Sequence, residues 1–269
     1  MQKNNYNKIS GLTLVEILIA IVISAIMMVA MYTSYNLVNN SYGQVTDRAK
    51  ISQAGRDVVG MIIKDIRIAG FRYFGDTIAA ADDHLPIHII PSNSDRCCDQ
   101  INIVYGDYDL SIANPSDRFI RYQITYQGQP STTIDNLTGN PIDSFSIFKS
   151  KLRWNDANEN WDPGVDHEET YENQLIADYV EDMIFIPVDG DGRIIDPPPS
   201  PANDADIFNI KVVNVLLTFR SEQDFYKTSR TRLVWSIGNN LQRHIARDDR
   251  LLRDSIVLSV NARNVSIDQ

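Results

Sequence analysis

The stretch "LTLVEILIAIVISAIMMVAM", Leu12 to Met31, limits what this chain can fold into more than any other. Its twenty residues are apolar except for Thr13, Glu16 and Ser24. At 1.5 Å of rise per residue they make about 30 Å of helix, enough to cross a bilayer. Lys3 and Lys8 precede the run with no acid beside them, and the first basic residue after it is Arg48. The positive-inside bias therefore predicts a cytoplasmic N-terminus and puts the rest of the chain across the membrane.

Three kinds of N-terminus compete for such a run: a removed signal peptide, a plain signal anchor, and a processed leader with its helix left attached. An ordinary signal peptide has an apolar core of about 7–15 residues followed by an A-x-A-like site. Here the core is longer and no such site follows Met31. A plain anchor accounts for the length but gives no reason for Glu16. A charged side chain in a membrane helix costs roughly 2.5–3.5 kcal/mol on insertion scales, and such residues generally have a partner.

"SGLTLVEILIAI" resembles the class III signal of type IV pilins and type II secretion pseudopilins, in which a short basic leader ends in Gly, a hydrophobic residue follows, and Thr-Leu-Val-Glu comes next. The resemblance implies cleavage by a prepilin peptidase between Gly11 and Leu12, and methylation of the new amine of Leu12. It also implies that Glu16 is paired, in a low-dielectric filament core, with an N-terminal amine of a neighbouring subunit. Such a pair fixes register more than it adds net stability.

The 269 residues, 43% of them hydrophobic, suit one membrane helix plus one sizeable soluble domain or two small ones. The net charge is −10, and loss of Lys3 and Lys8 with a leader takes it to −12. That argues against general nucleic-acid binding through a basic surface. Arg243, Arg247, Arg250 and Arg253 form a local basic candidate, but Asp248, Asp249 and Asp254 interleave with them and favour a solvated mixed run.

Beyond the apolar run, Ile51, Ala54, Val58, Met61, Ile62, Ile66 and Ala69 recur at spacings of three and four. Arg48, Lys50, Arg56, Asp57, Lys64, Asp65 and Arg67 occupy other positions, which describes an amphipathic helix. Gly70 stands where a C-cap glycine belongs. "NNSYGQ", Asn39 to Gln44, marks the exit from the membrane and a place for the helix to bend or melt. The spans expected are a leader over 1–11, a transmembrane or filament-core helix over 12–32, its amphipathic continuation over 33–70, and a β-rich globular domain over 71–269.

Strands are expected in "QINIVYG", "RFIRYQITYQ", "SFSIFKSKLRW", "VEDMIFIPV", "IKVVNVLLTFRS" and "SIVLSVNAR", which are rich in β-branched and aromatic residues. Polar excursions at 155–169 and 189–206 read as surface loops, the second with a proline run that cannot pair in a sheet. The fold class is α+β, pilin-like, with the long helix packed on an antiparallel sheet.

Four further segments, "KDIRIAGFR", "LIADYVEDMIFIPVDGDGRIID", "VVNVLLTFRS" and "DDRLLRDSIVLSVNARN", resemble PilW-type minor pilins. That resemblance implies a minor pilin that helps initiate type IV pilus assembly and sits at or near the tip, serving adhesion or twitching motility. The partners it implies are other minor pilins, the major pilin, the prepilin peptidase, the inner-membrane assembly platform and, before assembly, the lipid bilayer. The chain is then a single-pass inner-membrane protein with a periplasmic C-terminal domain, later exposed on the pilus. The alternatives are a J-type minor pseudopilin and a tip adhesin or DNA-uptake module.

Several residues invite a chemical reading. Asp189, Asp191 and Asp196 alternate like calcium ligands, although no bidentate Glu completes an EF-hand and a hairpin turn is the favoured reading. Asp156, Asn158, Asn160 and Asp162 alternate similarly, but Trp161 stands where Gly is needed. His84 and His88 flank Pro86, which breaks a shared helix face. Trp154, Trp161 and Tyr171 suit either a carbohydrate- or surface-binding patch or strand-end packing.

Cys97 and Cys98 are the only cysteines. Adjacent Cα atoms lie about 3.8 Å apart, below the usual disulfide range of about 4.4–6.8 Å. A vicinal disulfide, cross-links to a partner and free thiols all stay open, and the pair supplies too few ligands for zinc. No H-E-x-x-H, G-x-S-x-G or Walker motif occurs, so nothing supports catalysis, and calcium is the single cofactor candidate.

Overall fold

In the computed structural model the described residues are 13–71, 85–92, 97–108, 110, 113–114, 118–134, 139, 142–155, 157–163, 169–200, 209–222, 224–233 and 246–265. The chain divides into two compact units, one through Asp47 and one from Arg48 onward.

Helix α1 runs from Leu14 to Ile68 without interruption. No proline falls within it, and its apolar half mixes strong helix formers, Leu, Ala and Met, with β-branched Ile and Val. The hydroxyls of Ser24, Thr33 and Ser41 donate back to the carbonyls of Ala20, Val29 and Leu37 at 2.7, 3.0 and 2.9 Å. Each of these hydroxyls is thereby satisfied on its own helix. The melting expected at Asn39–Gln44 does not occur, since the helix continues through it. One glycine there, Gly43, costs about 1 kcal/mol, too little to break a long cooperative helix.

The helix ends where the glycine said it should. Gly70 takes a left-handed φ of +71°, and Phe71 N–H donates to the Ile68 carbonyl at 2.9 Å. The Asn264 side-chain amide caps the Arg67 carbonyl at 3.0 Å, while Gly70 N–H donates to Val104 at 2.8 Å. A Cβ at residue 70 would lie 3.1 Å from the Asn264 carbonyl oxygen, so close approach and backbone sign both require glycine.

Among the described residues ten strands follow: β1 Ile87–Ile90, β2 Gln100–Tyr108, β3 Phe119–Pro130, β4 Phe145–Asn155, β5 Asn160–Asp162, β6 Tyr171–Val188, β7 Val212–Arg220, β8 Arg230–Leu233, β9 Ala246–Asp249 and β10 Arg253–Asn261. The main sheet is antiparallel in the order β1-β2-β3-β4-β6-β7-β10, with β5 hairpinned onto β4, and β8–β9 form a separate ribbon. The first polar excursion is therefore not all loop: β5 lies inside it. Strand β1 was not expected, and β6 begins nine residues before "VEDMIFIPV".

β6 is long because it changes partner. Its first half pairs with β4 and its second with β7. Register shifts and left-handed residues at Asn173 and Tyr179, with φ of 50° and 58°, bend it between the two. Where β4 has ended, Asp99 takes over the vacant edge. Its N–H donates to the Met183 carbonyl at 2.7 Å and its Oδ2 accepts from Phe185 N–H at 3.0 Å. Asp99 is buried, and these bonds to the strand backbone, with one from Ser92 N–H to Oδ1, hold it there.

Within the second unit, Ile51, Val58, Ile62 and Ile66 of α1 share one core with Ile101, Ile103, Ile124, Ile147, Val215, Leu217 and Phe219 of the sheet. Each such side chain contributes about 1.5–3 kcal/mol by leaving water. Asp65 departs from the sequence reading: it is buried, not on the solvent side. Lys149 Nζ of β4 lies 2.6 Å from its Oδ2, and the Tyr126 hydroxyl donates to the same oxygen at 2.6 Å. Burial and the adjacent Asp65 charge push the Tyr126 phenol well above the usual range.

Lys149→Met should cost about 3–5 kcal/mol, because it strands a buried carboxylate. Lys149→Met combined with Asp65→Leu should recover most of that loss. Denaturant unfolding of the four members of this cycle checks it.

Candidate functional site

The apolar half of α1 buries none of its large side chains within the chain. Leu14, Ile17, Ile21, Ile26 and Met28 are exposed by 76, 48, 60, 65 and 70%. Among the described residues it is the one helix long and apolar enough to cross a membrane. Such a surface needs lipid or neighbouring apolar helices around it, and it fits membrane anchoring.

At the head of this helix, Thr13 and Glu16 bond reciprocally. Glu16 Oε2 accepts from the Thr13 backbone N–H and from its hydroxyl, both at 2.8 Å, and Glu16 N–H donates to Thr13 Oγ1 at 3.3 Å. This is a capping box, with Thr at the N-cap and Glu three residues on. The pattern Thr-x-x-Glu that signals such a box overlaps the leader motif in the sequence. Gly11 and Leu12 lie outside the described residues. Glu16 heads a stripe with Ile17, Ala20, Ile21, Ser24 and Met28 that lines a shallow groove on the helix.

The remaining candidates separate. Asp189 Oδ1 accepts the N–H groups of Asp191 and Arg193 at 2.9 and 2.7 Å, and Gly192 takes a φ of +83°. With the bridge between Val188 and Ile194, that is a side-chain-stabilised reverse turn. Among the described residues, the grouping of metal-ligand side chains is Cys97, Cys98 and Asp182, and the three aspartates of the turn are not gathered in this way.

Cys97 and Cys98 form a vicinal disulfide. As a disulfide the sulfurs are not the thiolates that bind metals, although a carboxylate oxygen of Asp182 lies within 4.8 Å of both. The bridge sits over Gly128 of β3, where a Cβ would come within 2.5 Å of Cys98 Cβ and 2.6 Å of its sulfur. Nothing in the local sequence marks Gly128, because its partner lies thirty residues upstream.

Trp154 and Trp161 face each other across the β4–β5 hairpin, edge to face, with centroids 5.1 Å apart. Tyr171 opens β6 opposite Lys151. Asn160 and Asp162 lie in β5, and Asp156 is outside the described residues. His88 lies in β1, while His84 is outside the described residues.

Two arginines of the basic run, Arg250 and Arg253, are held in ion pairs. Arg253 makes a forked contact to Asp249 at 2.6 and 2.8 Å and reaches Glu181 at 3.3 Å, and Arg250 reaches Asp224 at 3.4 Å. Arg243 is outside the described residues. The hydrogen bonds from Arg253 hold the Asp249 carboxyl below the usual carboxylate range against its partial burial, helped by Leu251 N–H.

Residues 6–32 match the prokaryotic N-terminal methylation motif. Among solved structures the chain is similar to a type IV-like pilin from Thermus thermophilus, at 10% identity and a TM-score of 0.49, over 80% of this chain and 96% of that one. No curated protein matches the sequence. The chain thus carries a methylation motif at the start of an exposed apolar helix whose distal half supports an antiparallel-sheet domain.

Two outcomes follow from the site geometry. Gly128→Ala should destabilise by about 1–3 kcal/mol through overpacking, and Cys98→Gly in the same chain should relieve most of it, as read by thermal unfolding. A depressed carboxyl stabilises above its unfolded pKa of about 4 and loses that contribution as pH falls through the folded value. Asp249→Asn should therefore flatten the melting-temperature profile below about pH 4, as followed by circular dichroism across the acid range.

Proposed function

We propose that the chain is a filament subunit, a type IV pilin-like protein of the PilW minor-pilin type, with a structural and not a catalytic role. The observation that carries this reading is the methylation motif over residues 6–32, coinciding with a helix whose apolar side chains find no cover within the chain. On this reading a prepilin peptidase cuts between Gly11 and Leu12, the new Leu12 amine is methylated, and the membrane helix passes from the inner membrane into a filament. Its partners there are other minor pilins and the major pilin, near the filament tip.

Glu16 has two roles to separate: capping its own helix and pairing with a neighbour's amine. Glutamine also serves at the third position of a capping box, whereas it carries no charge. Glu16→Gln should therefore leave cleavage and helix intact but reduce the chain in sheared filaments by about tenfold, with Glu16→Ala at least as low. Normal incorporation of Glu16→Gln defeats the charge-pairing role. Mass spectrometry of the N-terminal peptide from sheared filaments checks processing, with a peptidase-deficient strain as control. A peptide starting at methylated Leu12 is expected, and a chain found only in membranes and still starting at Met1 overturns the reading.

A further inference from the structure

Strand β4 carries its charges on the side where burial is expected and none on the other. Ile147 joins the core under α1 and Lys149 meets Asp65, so alternation puts Lys151 and Arg153 on that same side. There Lys151 Nζ lies 4.4 Å from the Tyr122 ring centroid and 3.5 Å from the Glu169 carboxylate. Phe148, Leu152 and Trp154, all half-buried, take the opposite side, away from the helix. Register extends this outward face over the neighbouring strands. Gln123, Gln127 and Gln129 of β3 lie opposite Leu152, Phe148 and Ser146, and Asn102 of β2 lies opposite Thr125. On the outward side of β2, β3 and β4 the single charged residue is Arg121, near one end and over the Phe119 ring. A solvated surface ordinarily carries about 25–35% Lys, Arg, Glu and Asp, so contact with water alone does not account for this composition.

The face offers two parallel stripes. Along β4 run Phe148, Leu152 and Trp154, with Trp161 across the hairpin and Leu175, 50% exposed, beside Phe148. Along β3, one strand spacing of about 4.8 Å away, run the glutamine amides, and Gln123 to Gln129 span about 20 Å. Gln127 donates to the Asn173 side chain at 2.8 Å and Thr125 to Asn102 at 3.0 Å, which orients these groups across the strands. An amide donates and accepts without charge, as a hydroxyl does, while aromatic and aliphatic side chains cover C–H surface. A phosphate polymer needs more cations than one arginine, and a charged protein surface finds no counter-charges here. A neutral β-linked glycan has the matching amphiphilicity: ring faces of C–H bonds, edges of equatorial hydroxyls, and a flat extended ribbon. Tyr171, which the sequence grouped with the tryptophans, pairs with Lys151 and so belongs to the helix side.

We propose that the outward face of β3 and β4 binds a neutral β-linked polysaccharide, with sugar rings lying on the Phe148–Leu152–Trp154 stripe and their hydroxyl edges against Gln123 and Gln127. The site goes beyond the filament-subunit reading and does not rest on it.

The test titrates the full chain, in a polyoxyethylene detergent that carries no sugar, with cellohexaose by isothermal calorimetry. Saturable heat is expected, with maltohexaose at least about tenfold weaker, because its α-linkages coil the same sugar out of a flat ribbon. Trp154→Ala should weaken cellohexaose binding by about tenfold, through the loss of a stacked ring. That change also removes the Trp161 contact and can loosen the hairpin, so Gln123→Ala is the second variant. Its melting temperature should stay within about 2 °C of the parent while affinity falls by about threefold to tenfold. No heat at about 5 mM cellohexaose overturns the proposal and leaves the face to a protein partner. Equal binding of maltohexaose, or affinity unchanged in Gln123→Ala, overturns it as well. Leader processing plays no part in this readout, so its outcome is independent of the subunit reading.

Discussion

A carboxylate on the buried side of a helix is the contact on which the second unit depends. Apolar contacts between α1 and the sheet are non-directional, and Ile51, Val58, Ile62 and Ile66 alone would tolerate small slides and rotations. Asp65 does not. Its Oδ2 has a lysine on β4 and a phenol on β3 within 2.6 Å, and a displacement of one residue would leave both cation and anion buried without partners. With that point fixed, the rest of the helix face follows. Gly55 meets β10, Gly70 turns the chain beside Val104, and Asn264, just beyond β10, closes the last turn.

The same residue shows where reading a sequence by hydrophobic spacing stops. The apolar stripe, the helix end at Gly70 and strands β2, β3, β4, β7 and β10 were all legible, because burial on one face leaves a period in the residue types. Asp65 fits the period by position and violates it by type, so hydrophobic spacing alone puts it toward solvent. Its partners Tyr126 and Lys149 lie 61 and 84 residues on, and no local pattern links them. The first half of β6 was missed for a related reason. Glu172, Asn173, Gln174 and Leu175 are exposed, and bulges break the alternation that marks a strand. β1 has four residues and β5 three, too short to leave a periodic signal.

Among the site residues, legibility followed the range of the interaction. The Asp189 turn is local, and the hairpin reading of "DGDG" agrees with hydrogen bonds that span two and four residues. The cysteines are adjacent, yet their setting is made by Gly128 and Asp182, which only the curled sheet brings near. The arginines near the C-terminus were judged by their acidic neighbours in sequence. Asp249 is indeed the partner of Arg253, but Glu181, 72 residues earlier, is the part that takes the guanidinium out of solvent.

Glu16 joins these levels. A carboxylate within a membrane helix opposes insertion by roughly 2.5–3.5 kcal/mol, and a helix start leaves backbone donors without partners. The capping box lets each problem reduce the other, since Glu16 accepts the Thr13 N–H that the helix cannot satisfy. Capping contributes about 1 kcal/mol, which leaves part of the cost standing. On the proposed processing, cleavage at Gly11 creates an amine four residues from that carboxylate in sequence, and packing of subunits brings other such amines near. The cap makes Glu16 tolerable in the bilayer as a single chain, and the residual cost favours any state in which a cation reaches it. On that proposal capping and pairing are successive uses of one side chain, and the cost that capping leaves standing favours departure from lipid into a filament.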